Sequence, residues 1–185
     1  IQPHVYAIVE SNHVDQFALD YFCNGDAKLT TAMDTIIREL YDAKEYGSIL
    51  TVTPQDWSAL YDRFTEITED INMSRKTALR ELLPLVQVAE ALAQKYEVVV
   101  TNPPYMGGSG MGAKLSDYVK KNYPDSKSDL FAVCIERGNQ MVVSKGINCM
   151  VTMQSWMFLT SFEKMRVNVL KNRNITNLMH MDNMV

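Results

Sequence analysis

Asn102-Pro103-Pro104-Tyr105 is the stretch whose residue types and spacing could do chemistry: an amide, two rigid residues and an aromatic ring in a row. It follows Val98-Val99-Val100-Thr101, a β-branched run that reads as a buried parallel strand. The prolines fix φ and donate nothing to a ladder, so the strand must stop there. Asn102 is thereby held at the carboxyl edge of a sheet, where open α/β folds bind ligands. Tyr105 follows on a stiff, pre-set turn. The four residues suit one flat, polar substrate.

An exocyclic amine on an adenine ring is such a substrate. Its lone pair is delocalised into the ring, which makes it a poor nucleophile. The Asn102 side-chain oxygen and the Pro103 carbonyl could accept from its two N–H groups, favour a pyramidal nitrogen and aim its lone pair at a methyl donor. Tyr105 offers a stacking face worth about 1–3 kcal/mol. A duplex would have to flip the base out to reach this site. No general base is required if the proton leaves after methyl transfer.

Alternating strands and helices must position this motif. Residues 4–10 read as a strand, residues 14–22 as a short helix and residues 29–41 as a longer amphipathic one, broken by Gly47 and Ser48. Residues 49–52 read as a short extended segment. Thr53-Pro54-Gln55-Asp56 is a helix start, with Thr53 as cap and Pro54 in the first position. A second helix is expected over about residues 75–96, kinked or split at Pro84. These two helices, within residues 53–96, read as an αα-hairpin inserted beside the sheet.

After Tyr105, residues 106–112 form a flexible glycine-rich loop, expected on the substrate side. A helix is expected from about Asp129 to Val143, closed by Lys145-Gly146. Residues 147–154 read as a strand, Thr160-Ser161-Phe162-Glu163 as a capping box opening a helix to about Leu170, and residues 175–182 as a last strand. The pattern predicts an α/β domain with a mostly parallel sheet of the doubly wound kind.

At 185 residues the chain fits one ordinary domain, and 46% hydrophobic with 22% charged residues is a soluble globular composition. No run approaches about 18 apolar residues, so no membrane helix is expected. A net charge of −4 argues against a dedicated nucleic-acid-binding module, though not against an enzyme acting on nucleic acid through one local surface. Cys23, Cys134 and Cys149 are widely spaced and read as reduced, buried cytosolic thiols, with no metal expected. A chain that begins Ile1-Gln2-Pro3-His4, without Met and in a strand-like run, reads as a piece of something longer.

The motif matches the Asn/Asp-Pro-Pro-Tyr/Phe signature of S-adenosylmethionine-dependent amino-methyltransferases. Tyr96-Glu97-Val98-Val99-Val100-Thr101-Asn102-Pro103-Pro104-Tyr105-Met106-Gly107 with Lys114-Leu115 resembles the PglX-type adenine-specific DNA methyltransferases of BREX phage-defence systems. Asn122-Tyr123-Pro124-Asp125-Ser126-Lys127-Ser128-Asp129-Leu130-Phe131 and Trp156-Met157-Phe158-Leu159 do so too, as do His4-Val5-Tyr6-Ala7-Ile8 and residues 42–50. The resemblance covers most of the chain.

It implies a partial Rossmann-like S-adenosylmethionine-dependent methyltransferase fold with a helical insertion, cytoplasmic, acting on double-stranded DNA with a flipped adenine beside other defence-system proteins. Asn102, Pro103, Pro104 and Tyr105 would be catalytic. Gly107, Gly108, Lys114 and Asp129 would lie on the substrate side, with Lys120, Lys121 and Lys127 available to track phosphates. Asp42, Gly47 and Ser48 sit where the family reaches the donor. The family's glycine-rich donor loop and its target-recognition domain are not found in residues 1–185, so this piece is expected to be inactive alone. The competing readings are a type IIG or type I restriction-modification methyltransferase, and a non-catalytic scaffold using the helices of residues 53–96.

Overall fold

A computed structural model describes residues 3–181. It divides into two compact units, Ile1–Gln94 and Lys95–Val185.

The first unit is helical. Helices α1 (Gln16–Cys23) and α2 (Ala27–Glu39) open on Asp15 and Asp26, whose carboxylates accept from the first-turn amides. A single turn, α3 (Ala43–Tyr46), runs into a 3-10 turn at Gly47–Ile49. Helices α4 (Trp57–Thr68) and α5 (Ser74–Ala93) follow. Helix α5 packs against α1, α2 and α4, so its stripe of Leu82, Val86 and Ala89 is fully buried with Phe22, Met33 and Leu60. The Phe22 and Phe64 rings meet at 4.4 Å. Arg63 donates to the carbonyls of Phe22 and Tyr21, groups that the end of α1 leaves without helical partners.

Three local expectations change here. Residues 4–10 form no strand: with no neighbouring strand to pair with, Val5 stays 88% exposed. The α4 cap is Asp56, which accepts from Ala59 N–H, while Thr53 bonds back to Glu39 through both its N–H and its hydroxyl. Pro54 therefore precedes the helix and does not begin it. Helix α5 is not split at Pro84, which lies inside one helix of 20 residues. Within this unit α4 and α5 share a core with α1 and α2.

The second unit carries the sheet: β1 (Tyr96–Thr101), α6 (Ala113–Asn122), α7 (Leu130–Met141) and β2 (Val142–Met150), then α8 (Ser155–Phe158), a 3-10 turn at Thr160–Phe162 and α9 (Glu163–Asn172). Strands β1 and β2 pair in parallel, with Val98 opposite Ile147 and Thr101 opposite Met150. A parallel pair needs a crossover, and α6 with α7 supplies it. Helix α7 packs on both strands, and its Phe131 and Ala132 share a core with Phe162 and Met165. The opposite face is uncovered: Val98, Val100, Ile147 and Val151 are 52–71% exposed. This is a partial Rossmann-like α/β fold with a parallel sheet.

Lys145 and Gly146 do not close a helix. Helix α7 ends at Met141, its C-cap Val142 is already extended, and β2 starts at once. Two steps along β1 then face five along β2, and Lys145, at φ +66°, lies within that bulge. Gly146 is needed there because a Cβ would come 3.0 Å from the Glu97 carbonyl oxygen. Residues 160–162 make a 3-10 turn leading into α9, with no side-chain cap in place of the expected capping box. Residues 175–181 form no strand, and Asp182 lies outside the described residues. Helix α6 appears where the sequence reading had only a loop and a basic stretch.

Candidate functional site

The polar motif begins where the parallel ladder ends. Val151 N–H donates to Thr101 C=O at 3.3 Å, one step beyond the paired strands, and Asn102 is the next residue of the chain. Pro103 is buried, whereas Asn102 and Pro104 are exposed and Tyr105 is 49% exposed. The buried proline anchors the turn while its neighbours face outward.

Tyr105 turns back over Asn102. Its hydroxyl lies 3.2 Å from Asn102 Oδ1 and 3.3 Å from the Val151 carbonyl oxygen. The ring meets Phe131 edge to face, at 6.2 Å and 80°, and Phe131 in turn packs on Phe162 at 5.7 Å. One face of an aromatic chain thus rests on the core, and its outermost ring stands beside an amide oxygen.

The first residues of the loop are tied down. Asp129 caps α7 by accepting from Phe131 N–H, and the same Oδ1 accepts from Met106 N–H at 3.0 Å. Leu130 N–H donates to Met106 C=O at 3.0 Å, and Gly108 N–H to Ser128 C=O at 3.2 Å. Gly107 and Asp129 form an antiparallel bridge. The loop expected to be flexible is therefore held at Met106–Gly108, and only from Ser109 onward does it leave these partners.

Lys114 lies exposed in the first turn of α6, and Lys120 pairs with Asp117 at 3.8 Å near its end. Asp42, Gly47 and Ser48 belong to the first unit. Asn12 and Asp42 form a reciprocal pair: Asn12 Nδ2 donates to Asp42 Oδ1 and Asp42 N–H to Asn12 Oδ1, both at 2.8 Å. Asp42 and Gly47 both have left-handed φ, at +55° and +59°. Among the described residues no cluster of His, Cys, Asp and Glu could hold a metal ion, and no helix is long and apolar enough to cross a membrane.

The sequence reading missed the groups around the motif that act through their backbone, the Met106 amide and the Val151 carbonyl, since any side chain can carry them. Phe131 was legible as a buried residue of the α7 helix, but not as the ring that meets Tyr105.

Residues 39–185 match the family of Eco57I restriction-modification methylases. The chain belongs to that family. The methylase-family segment begins within the first unit and includes the whole of the second. The adenine-specific methyltransferase BrxX of Escherichia coli O9:H4 (strain HS) is 42% identical over 142 residues, covering 75% of this chain and 12% of BrxX. The adenine-specific methyltransferase PglX of Lacticaseibacillus casei (strain Zhang) is 49% identical over 86 residues, covering 46% of this chain and 7% of PglX. The chain thus spans a small fraction of the length of these methylase-family relatives.

Proposed function

We propose that the protein carrying this sequence methylates the exocyclic N6 amine of adenine in double-stranded DNA, as part of a phage-defence system in the cytoplasm, with other defence proteins as partners. The observation that carries the reading is an exposed amide–proline–proline–tyrosine turn at the carboxyl edge of a parallel strand pair. Kinship with two proteins named adenine-specific methyltransferases supports the substrate.

The chemistry follows from the turn. Asn102 Oδ1 and the Pro103 carbonyl accept the two N–H groups of a flipped adenine, and Tyr105 stacks on the ring. The Tyr105 hydroxyl orients Asn102 Oδ1 before the base arrives and two successive prolines stiffen the turn, so little reorganisation is left for the reaction. The amine lone pair, freed from the ring, forms the new N–C bond, and one N–H proton then leaves to solvent. S-adenosylmethionine, when bound, would supply an electrophilic methyl group, the electron pair of the broken S–CH3 bond returning to a sulfur that leaves as a neutral thioether. Asp42, Gly47 and Ser48 would hold it. The residues fit such a group: the Asn12 amide fixes the orientation of the Asp42 carboxylate, and nothing lies within 4 Å of where a Cβ on the positive-φ Gly47 would stand, so a ligand can approach the backbone there. Gly107, Gly108 and Lys114 would border the DNA, Lys114 toward phosphate.

The description of the matched family carries a second reading, a methyltransferase of a restriction-modification system. The same chemistry serves it, with a nuclease activity in addition. In the intact protein, Asn102→Ala should lower methyl transfer from labelled S-adenosylmethionine to adenine-containing duplex DNA by about 10²–10³-fold, with an unchanged circular dichroism spectrum. Wild-type rates from the Ala variant would sink the mechanism. DNA cleavage by the wild type would favour the second reading.

A further inference from the structure

We infer that Asp129 is a positioning residue for the Asn102–Tyr105 turn, acting through the Met106 amide and not by touching the substrate. The inference rests on the proposed methyl transfer and deepens it. Met106 directly follows the tyrosine, so where its peptide goes, the ring must follow.

The Ser128–Phe131 segment grips that peptide from both sides. Asp129 Oδ1 takes its N–H at 3.0 Å and Leu130 N–H takes its C=O at 3.0 Å. Gly108 N–H, two residues on, is held by Ser128 C=O, and the Phe131 ring lies edge-on to Tyr105. Every other link in this set is a backbone bond or a ring contact. The Asp129 carboxylate is a side chain that ties the start of helix α7 to the residue following the motif by a hydrogen bond. One of its oxygens already serves two amides, Met106 and Phe131, which points it inward toward the turn.

This role requires an acceptor atom at the right reach. It does not require a charge. Asparagine keeps Oδ1 in place, serine keeps a helix cap but is too short to span to Met106, and alanine loses both. A carboxylate that contacted substrate through its charge would rank the variants differently, with asparagine as poor as alanine.

The experiment compares Asp129→Asn, Asp129→Ser and Asp129→Ala in the intact protein, by steady-state methyl transfer and by hydrogen exchange of the peptide containing Met106. Asp129→Asn should stay within about 3-fold of wild type in kcat. Asp129→Ser should fold, exchange the Met106 amide at least about 10-fold faster, and lose kcat by about 10²-fold, the scale of a 1 Å misplacement. KM for S-adenosylmethionine should not move. An Asn variant as slow as Ala, or a Ser variant with wild-type kcat, would overturn the tether, and neither depends on the Ala variant folding. If unsubstituted protein transfers no methyl group, the proposed reaction fails, and Met106 exchange in Asp129→Ser against wild type still decides the tether.

Discussion

The Tyr105 hydroxyl stands between two acceptors, Asn102 Oδ1 at 3.2 Å and the Val151 carbonyl at 3.3 Å. It has one proton to give. Given to Asn102, the proton fixes which way the amide oxygen points; given to Val151, it leaves that oxygen open to another donor. The hydroxyl can therefore switch acceptors without moving the ring.

Two substitutions separate ring from hydroxyl. Tyr105→Phe keeps the stacking face and the edge contact with Phe131, and should retain kcat/KM for adenine methylation within about 5-fold. Tyr105→Ala removes a stacking contact worth about 1–3 kcal/mol and should lower kcat/KM by about 10–100-fold. A Phe variant as weak as Ala would show that the hydroxyl, not the ring, carries the effect.

Gly146 sits at a tight backbone position of the sheet. A methyl group there would meet Glu97 and Val143 carbonyl oxygens and Val142 Cβ at 3.0–3.1 Å, two of them main-chain atoms with no freedom to swing away. Gly146→Ala should cost about 1–3 kcal/mol, read as a lower urea midpoint. Gly108→Ala, where a Cβ meets nothing within 4 Å, is the control and should leave the midpoint in place.

Alkaline pH should loosen the second unit through Cys134. Burial pushes this thiol up to about 11 from an ordinary value of 9.0. The unfolded chain releases the proton first, so the stability this adds is complete below pH 9 and is lost as pH rises toward 11. Cys149, which is exposed, should react with a thiol reagent at pH 8 well before Cys134 in native protein. Equal rates at the two sites would contradict the burial.

The parts of the fold that were legible in the sequence were those dictated by local chemistry. Three valines can only be a strand, two prolines can only end it, and Asp129 before Leu-Phe can only cap a helix. What stayed hidden depended on distant partners. Lys145-Gly146 carries the same signal as a helix end, and only the register of β2 against β1 makes it a bulge. Residues 4–10 alternate like a strand but have no ladder to join. Thr53 looks like a cap until Glu39, fourteen residues earlier, claims it. The candidate site divides in the same way: its side chains were readable, and the backbone groups that orient them were not.

Val98, Val100, Ile147 and Val151 make one side of the strand pair oily, and each strand has a single neighbour among the described residues. Such a surface is adhesive to anything with a matching edge, its own copies first. For the 185-residue chain in a tube, shelf life would be governed by that outward face and not by the strength of its core. The motif sits at the rim of that face, so whatever shields it from clumping also borders the Asn102–Tyr105 turn.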